Sequence, residues 1–145
     1  MTTNRRVVQA TPEQVWRVLA DGWLYPVWVV GASRMREVDG SWPESGARLH
    51  HSVGVWPLLI DDSTEVLESQ RDTSIRLRAR AWPVGEAEVA IELHAQPDGS
   101  TEIVMHEDAV AGPGRLVPPP VRGLSLKWRN VEALRRLAYL AERRS

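Results

Sequence analysis

The residue with the clearest potential for proton chemistry is Glu107, which lies in an alternating stretch in the last third of the chain. If Leu93 pairs with Ile103 across a turn, then Met105 and Glu107 point inward and His106 points outward. A one-residue slip would exchange the two sets. An inward carboxyl group could move protons in a site. The alternative is a strand-end residue that reaches solvent or a cation.

Arg135 is the second candidate, because it falls among apolar positions of the C-terminal segment. A buried guanidinium must find a partner, since an unpaired buried charge is very costly. Glu107 or the carboxylate of a ligand could be that partner. The alternative is an arginine that reaches solvent from the edge of the apolar stripe.

The remaining polar residues carry no metal or cofactor signature. His50-His51 and Asp61-Asp62 are neighbours in strand-like segments, so only one residue of each pair can face inward. The four histidines lack metal-ligand spacing and the chain has no cysteine. Nucleotide-binding glycine motifs and the Gly-x-Ser-x-Gly elbow are absent from the sequence. We therefore expect no metal and no cofactor.

Charge and hydropathy exclude further classes of partner. The net charge is −1, although residues 121–145 hold seven basic and two acidic residues. Arginines recur there without interleaved exposed aromatic residues, which argues against nucleic-acid binding. No apolar run approaches the roughly 20 residues of a membrane helix, and the N-terminus lacks a signal-peptide pattern. We expect a cytoplasmic protein without integral membrane association.

The elements that must position these residues begin with a strand at 3–9. A helix follows, with Thr11 as its cap, Gln14 completing a capping box and Asp21-Gly22 ending it. Residues 23–29 predict a second short helix or turn.

Residues 32–109 alternate with period two and contain turn signals, which predicts about six antiparallel strands. The clearest hairpin joins 75–82 to 86–95. A turn at 83–85 would pair Trp82 with Glu86, Arg80 with Glu88 and Arg76 with Glu92. The matching glutamates favour a solvated face with ion pairs over an anion-binding strip.

Residues 121–144 predict a long amphipathic helix laid across the sheet. Arginines recur every seven residues on its polar side. Its predicted apolar face contains Leu124, Trp128, Val131, Leu134, Ala138 and Ala141.

Several segments resemble one superfamily. Residues 7–16 (VVQATPEQVW), 25–28 (YPVW) and 99–103 (GSTEI) resemble the opening strand and helix, the aromatic turn and the last hairpin of START-like (SRPBCC) proteins. Residues 112–114 (GPG) followed by 129–137 (RNVEALRRL) are similar to the ending of small actinobacterial-type, polyketide cyclase/dehydrase-like members.

The resemblance implies an α+β helix-grip (Bet v 1/START-like) fold in a single domain at 1–145. A curved antiparallel sheet of about seven strands would wrap a long C-terminal helix, with two short helices after the first strand. In this fold the sheet and the helix enclose a largely apolar cavity, and the loop at 111–120 is our candidate for its mouth. Small inward residues such as Ala79 and Ala87 agree with a cavity, whereas tryptophans filling the space would close it.

The leading hypothesis is that the chain binds a hydrophobic small molecule, either lipid-like or aromatic/polyketide-like. A homodimer is one assembly that the protein could form. Glu107 and Arg135 would orient the polar end of the small molecule. The alternatives are a cyclase/dehydratase-type enzyme, in which Glu107 or a histidine moves a proton, and a non-catalytic protein-interaction domain with a closed core. The expected apolar lining is Trp28, Trp56, Met105, Leu124, Trp128 and Val131.

Overall fold

A seven-stranded antiparallel sheet and a long C-terminal helix form the architecture. The computed structural model describes residues 2–28, 32–53, 60–81, 85–111 and 119–143. The strands are β1 (Thr2–Val8), β2 (Ala32–Val38), β3 (Arg48–Val53), β4 (Ile60–Gln70), β5 (Ser74–Ala81), β6 (Gly85–Ala95) and β7 (Thr101–Ala111). The helices are α1 (Pro12–Leu19), α2 (Tyr25–Trp28) and α3 (Pro119–Arg143), with a 3₁₀ turn at Gly22–Leu24.

The strands lie in the order β1-β7-β6-β5-β4-β3-β2, so β1 and β2 are the two edges of the curved sheet. The short helices follow β1, and α3 packs against β1, α1 and α2. This arrangement confirms the expected α+β helix-grip fold.

Helix α1 begins where the capping box predicts. The Thr11 hydroxyl accepts a hydrogen bond from the Gln14 backbone N–H at 3.2 Å, and the Gln14 side chain accepts one from the Thr11 N–H at 2.7 Å. The helix ends at Leu19 with Ala20 as its C-cap, two residues before the predicted stop. Its buried residues are Val15, Trp16, Val18 and Leu19.

The β5–β6 hairpin has a different register from the predicted one. Ala81 pairs with Gly85, which places Arg80 opposite Glu86. The predicted pairs of Arg80 with Glu88 and of Arg76 with Glu92 are therefore wrong. The predicted turn includes Gly85, whereas Gly85 is the first residue of β6. The side-chain faces are unchanged, because the shift is even.

The predicted ion pairs on the outer face exist, but with other partners. The Arg76 guanidinium lies 3.5 Å from Glu68 on β4, and the Arg78 guanidinium lies 3.7 Å from Glu86. These groups are partly exposed, so each pair contributes little stability. The solvated interpretation of the alternating arginines agrees with these contacts, whereas Trp82 lies outside the described residues.

The β6–β7 hairpin has the expected register, with Leu93 opposite Ile103. Its turn is fixed by Asp98, whose carboxylate accepts hydrogen bonds from the Ser100 hydroxyl at 2.6 Å and from the Ser100 N–H at 3.0 Å. These hydrogen bonds lower the pKa of Asp98. Gly99 supplies the positive φ of 89° that the turn requires.

Helix α3 packs through a face that is rotated from the predicted one. Ala133 and Leu137, which the prediction omitted, are buried, whereas Val131 is 49% exposed. At about 100° per residue, Ala133 and Leu137 lie on one flank of Leu134 and Val131 lies on the other. The prediction averaged apolar residues over the whole helix, although its C-terminal half buries a different flank. Leu134, Ala138 and Ala141 are buried as expected.

No helix in the described parts of the chain is both long enough and apolar enough to cross a bilayer.

The rotation of α3 predicts a contrast between two substitutions. Leu137→Ala should lower the free energy of unfolding by about 2–5 kcal/mol, because it opens a cavity in the core. Val131→Ala should change it by less than about 0.5 kcal/mol, because Val131 is half in solvent. Urea unfolding followed by tryptophan fluorescence measures both. Equal losses would contradict the observed orientation.

Candidate functional site

The inner face of β7 brings the predicted polar candidate into an apolar environment. Ile103 and Met105 are 0% and 2% exposed, and Glu107 is 7% exposed on the same face. His106 lies on the other face and is half-buried. Of these two residues, Glu107 is therefore the one that faces the interior. Glu107 lies opposite Val89 on β6 and opposite Thr2 on β1.

The inner surface of the β5–β6 pair changes along the strands. At one end Ile75 lies opposite Ile91, and both are almost fully buried. At the other end Ala79 lies opposite Ala87, and both are only half-buried despite their small side chains. Glu107 lies opposite Val89, between the end with almost fully buried isoleucines and the end with small, partly accessible alanines.

Asn4 is a polar residue of this region that the sequence analysis missed. It lies on β1 opposite Met105 and is only 6% exposed. Its Oδ1 atom is buried and has no hydrogen-bond partner in the structure. The alternation of β1 gave no sequence signal for this burial, because Arg6 has the same parity as Asn4 and Val8 and is exposed.

Trp28 is the expected aromatic lining residue whose side chain is described. It is 4% exposed in α2 and belongs to the main core, and α2 contacts α3. Trp56 lies outside the described residues. Leu124 and Trp128 are in α3, but their side chains fall outside the described part. In the loop at 111–120, residues 112–118 also lie outside the described residues.

Two expected site residues do not face the interior. Val131 is half-exposed, for the reason given for α3. The Arg135 side chain is 64% exposed and donates two hydrogen bonds to Glu132, at 2.7 and 3.0 Å. The suggested pair of Glu107 with Arg135 is therefore wrong. Arg135 lies one turn beyond Val131 and on the same exposed flank.

Glu132 is the acceptor that holds two arginines on the outside of α3. Besides Arg135, the Arg136 guanidinium donates to it at 3.1 Å. The hydrogen bonds from Arg135, and next those from Arg136, lower the pKa of Glu132 to about 2. The sequence places Glu132 three and four residues before these arginines, a spacing that favours such contacts on a helix.

The histidines of β6 and β7 form a separate cluster on the outer face. Glu92 lies 2.9 Å from His94 Nε2 and 3.5 Å from His106 Nε2. His106 Nδ1 lies 2.9 Å from the Thr3 hydroxyl. The hydrogen bond from His94 is the main reason that the pKa of Glu92 is lowered. Over the described residues, no group of three or more histidine, aspartate or glutamate side chains could hold a metal ion.

Comparison with known protein families shows which family the chain belongs to. Residues 2–142 match the family described as "Polyketide cyclase / dehydrase and lipid transport". The chain belongs to this family. The match covers nearly the whole sequence and confirms the resemblance to polyketide cyclase/dehydrase-like proteins. No curated protein sequence matches the chain.

Solved structures of other proteins share the fold. The Zhui aromatase/cyclase from Streptomyces sp. R1128 is 19% identical, with a TM-score of 0.73 over 99% of this chain and 93% of that chain. A conserved protein from Geobacillus kaustophilus is 15% identical, with a TM-score of 0.74 over 97% and 94%. Ara h 8.0201 is 12% identical, with a TM-score of 0.71 over 96% and 95%. Identities this low show the fold alone.

The contacts of Glu132 predict its titration. Carboxyl-detected NMR should give it a pKa of about 2. Arg135→Gln should raise that pKa more than Arg136→Gln, because Arg135 donates two of the three hydrogen bonds. Since the folded-state pKa lies below the unfolded value, the stabilisation is present above about pH 4.5 and is lost as the pH falls towards 2.

A matched control for this titration is Arg76→Gln, which removes an arginine from the outer face of the sheet. It should leave the pKa of Glu132 unchanged. A Glu132 pKa near 4.5 in the unmodified protein would contradict the described contacts.

Proposed function

We propose that this chain, as a single domain spanning 1–145, binds a hydrophobic small molecule between the inner face of the sheet and α3. The class we favour is lipid-like or aromatic/polyketide-like. Membership of a family described by polyketide cyclisation and lipid transport supports this class. A cytoplasmic location is part of the proposal, since a chain without cysteine depends on no disulfide.

The observation that carries the proposal is the buried amide of Asn4. A buried acceptor without a partner costs about 1–3 kcal/mol. Such a cost is tolerated where a bound molecule or an ordered water donates the missing hydrogen bond. Asn4 lies opposite Met105, and Glu107 is two residues further along the same inner face. The two polar groups would fix the orientation of a ligand whose body is apolar.

The proposed lining keeps most of the expected residues. Val131 and Arg135 leave it, because both lie on the exposed flank of α3. The partly accessible end around Ala79 and Ala87 favours entry from that side, with the loop at 111–120 as its mouth. The proposed contacts are Asn4 and Glu107 for the polar end and Trp28, Trp56, Met105, Leu124 and Trp128 for the apolar body.

A second candidate function is catalysis of the cyclase/dehydratase type. The buried carboxyl of Glu107 favours it, because a buried acid among apolar side chains can move a proton to or from a positioned substrate. The aromatase/cyclase among the similar structures is in keeping with this alternative. In such an enzyme the shape of the cavity would hold a reactive chain in the geometry for ring closure.

Native mass spectrometry of freshly purified protein tests the binding function. We expect a mass increment that corresponds to a small hydrophobic molecule and disappears after organic extraction. The same spectrum reports whether the protein forms a homodimer. An unliganded protein that also fails to bind fatty acids or polycyclic phenols added at micromolar concentration would favour the protein-interaction alternative.

Asn4→Leu predicts opposite changes in stability and binding. Removing a buried acceptor without a partner should raise the free energy of unfolding by about 1 kcal/mol. The same change should weaken binding of a hydroxyl-bearing ligand by about tenfold, the equivalent of one hydrogen bond. Urea unfolding and competition with a fluorescent fatty acid measure the two effects.

The matched control for Asn4→Leu is Val7→Thr, an exposed residue on the opposite face of the same strand β1. It should change neither quantity appreciably. Loss of stability in Asn4→Leu with unchanged binding would show that Asn4 has a structural role only.

Glu107→Gln separates carriage from catalysis. Glutamine keeps the size of the side chain and removes its acidity. For a carrier, ligand affinity should stay within about threefold, because one polar contact is exchanged for another. For an enzyme, turnover of a polyketide-like substrate should fall by about 10²–10⁴-fold with little change in binding. Full turnover by the variant would exclude Glu107 as the proton donor or acceptor.

A further inference from the structure

A surface groove runs along the seam where the edge strand β1 meets α3 and α2. Its volume is about 430 Å³, which is within the range of small-molecule sites. Arginine side chains from both walls reach it, namely Arg6 from β1 and Arg135 and Arg136 from α3. Val27 of α2 and Ala138 of α3 supply apolar surface. The groove contains none of the residues proposed above to contact the internal ligand.

The arginines that line the groove outnumber the carboxylates that are close enough to neutralise them. Arg6 is exposed and has no ion pair with any described residue, and it lies between the buried Asn4 and Val8 on the inward side of β1. Arg135 and Arg136 share the single carboxylate of Glu132. The chain as a whole is slightly negative, so this concentration of arginine is a local feature.

An aromatic wall lies beside these charges. Tyr139 lines the groove and is 59% exposed, so the expectation that no exposed aromatic residue lies among these arginines is wrong. Val27 is 49% exposed. The Arg143 guanidinium lies 5.0 Å from the centre of the Tyr139 ring, within the range of a cation–π contact that holds the ring in place. Large apolar side chains left in solvent at the wall of a concave, charged site are typical of ligand contacts.

We propose that this groove binds a small organic anion, specifically a carboxylate with an apolar body. The carboxylate would lie between Arg6 and Arg135, since a guanidinium forms paired hydrogen bonds with a carboxylate. The apolar body would lie on Tyr139 and Val27. The concave shape favours a small molecule over the flat surface of an anionic membrane. Glu142 in the lining opposes a ligand with several negative charges.

NMR titration with two matched probes tests the site. Octanoate and octan-1-ol have the same chain length and differ in the charged group. We expect octanoate to shift the backbone amide signals of residues 6, 27 and 135–142 in a saturable manner. Octan-1-ol should cause no saturable shift there. An equal response to both probes would overturn the proposal, because the charge would then play no part.

Charge variants assign the binding to the groove. Arg6→Gln and Arg135→Gln should each weaken octanoate binding by about fivefold, the effect of losing one exposed charge contact. Glu142→Gln should strengthen it by about twofold, because a repelling carboxylate is removed. The matched control Arg76→Gln changes the net charge equally and lies on the outer face of the sheet, so it should leave the affinity unchanged.

The outcomes also separate this site from the proposed internal one. Octanoate shifts centred on residues 103–107 instead of 135–142 would overturn the groove proposal and support the internal cavity. Failure of the internal site in native mass spectrometry would leave the groove result intact, because the two sites share no residue. If Arg76→Gln weakened octanoate binding as much as Arg6→Gln, the loss of affinity would be explained by the net charge of the protein alone. That result would overturn the proposal.

Discussion

The pairing of Leu93 with Ile103 is the constraint on which the site depends. Side chains alternate along a strand, so this one register decides which residues of β7 reach the interior. It puts Glu107 inside and His106 outside. The short Asp98–Ser100 turn holds the register, and the buried hydroxyl of Thr101 adds a hydrogen bond of 2.8 Å to the Ala10 carbonyl. That bond joins the start of β7 to the segment that leads into α1.

The interior of the sheet combines a fully apolar end with a region that contains buried polar groups. Ile75, Ile91 and Ile103 form a floor of large side chains that are almost fully buried. Such packing supplies stability without any polar group. Asn4 and Glu107 are buried beyond this floor, where apolar residues of similar size would pack at lower cost. Under the proposed binding function, the polar groups retained there would give up stability in exchange for specific contacts with a ligand.

Much of this could be predicted from the sequence because the relevant signals are local. The capping box at Thr11 fixed the start of α1, and strict alternation fixed the faces of β5, β6 and β7. The register of the β5–β6 pair was not predictable to better than two residues, because either arrangement keeps the same faces and offers opposite charges across the strands. The start of β6 at Gly85 depends on the bounds of the turn before it, and the sequence has no strong signal for those bounds.

The orientation of α3 and the burial of Asn4 could not be predicted from the sequence, because both depend on tertiary packing. The helix carries apolar residues over a wide arc, and only packing against β1 and α1 selects the flank with Ala133 and Leu137. Arg135 appeared inward for the same reason, although Glu132, three residues before it, was already a suitable partner. Asn4 gave no chemical signal of its own, because a single asparagine in a short edge strand is unremarkable until its burial is known.

The charge distribution has a consequence for how molecules approach this protein. Residues 121–145 carry a net charge of +5, so the remaining residues together carry −6 of the overall −1. On the outer face of the sheet the charges are close to partners of opposite sign, as in Arg76 with Glu68 and Arg78 with Glu86. The C-terminal segment is therefore strongly positive within a chain that is slightly negative overall. An anion diffusing nearby would be turned and drawn towards that segment before any contact forms, and the attraction would fade within about 10 Å at 0.1 M salt.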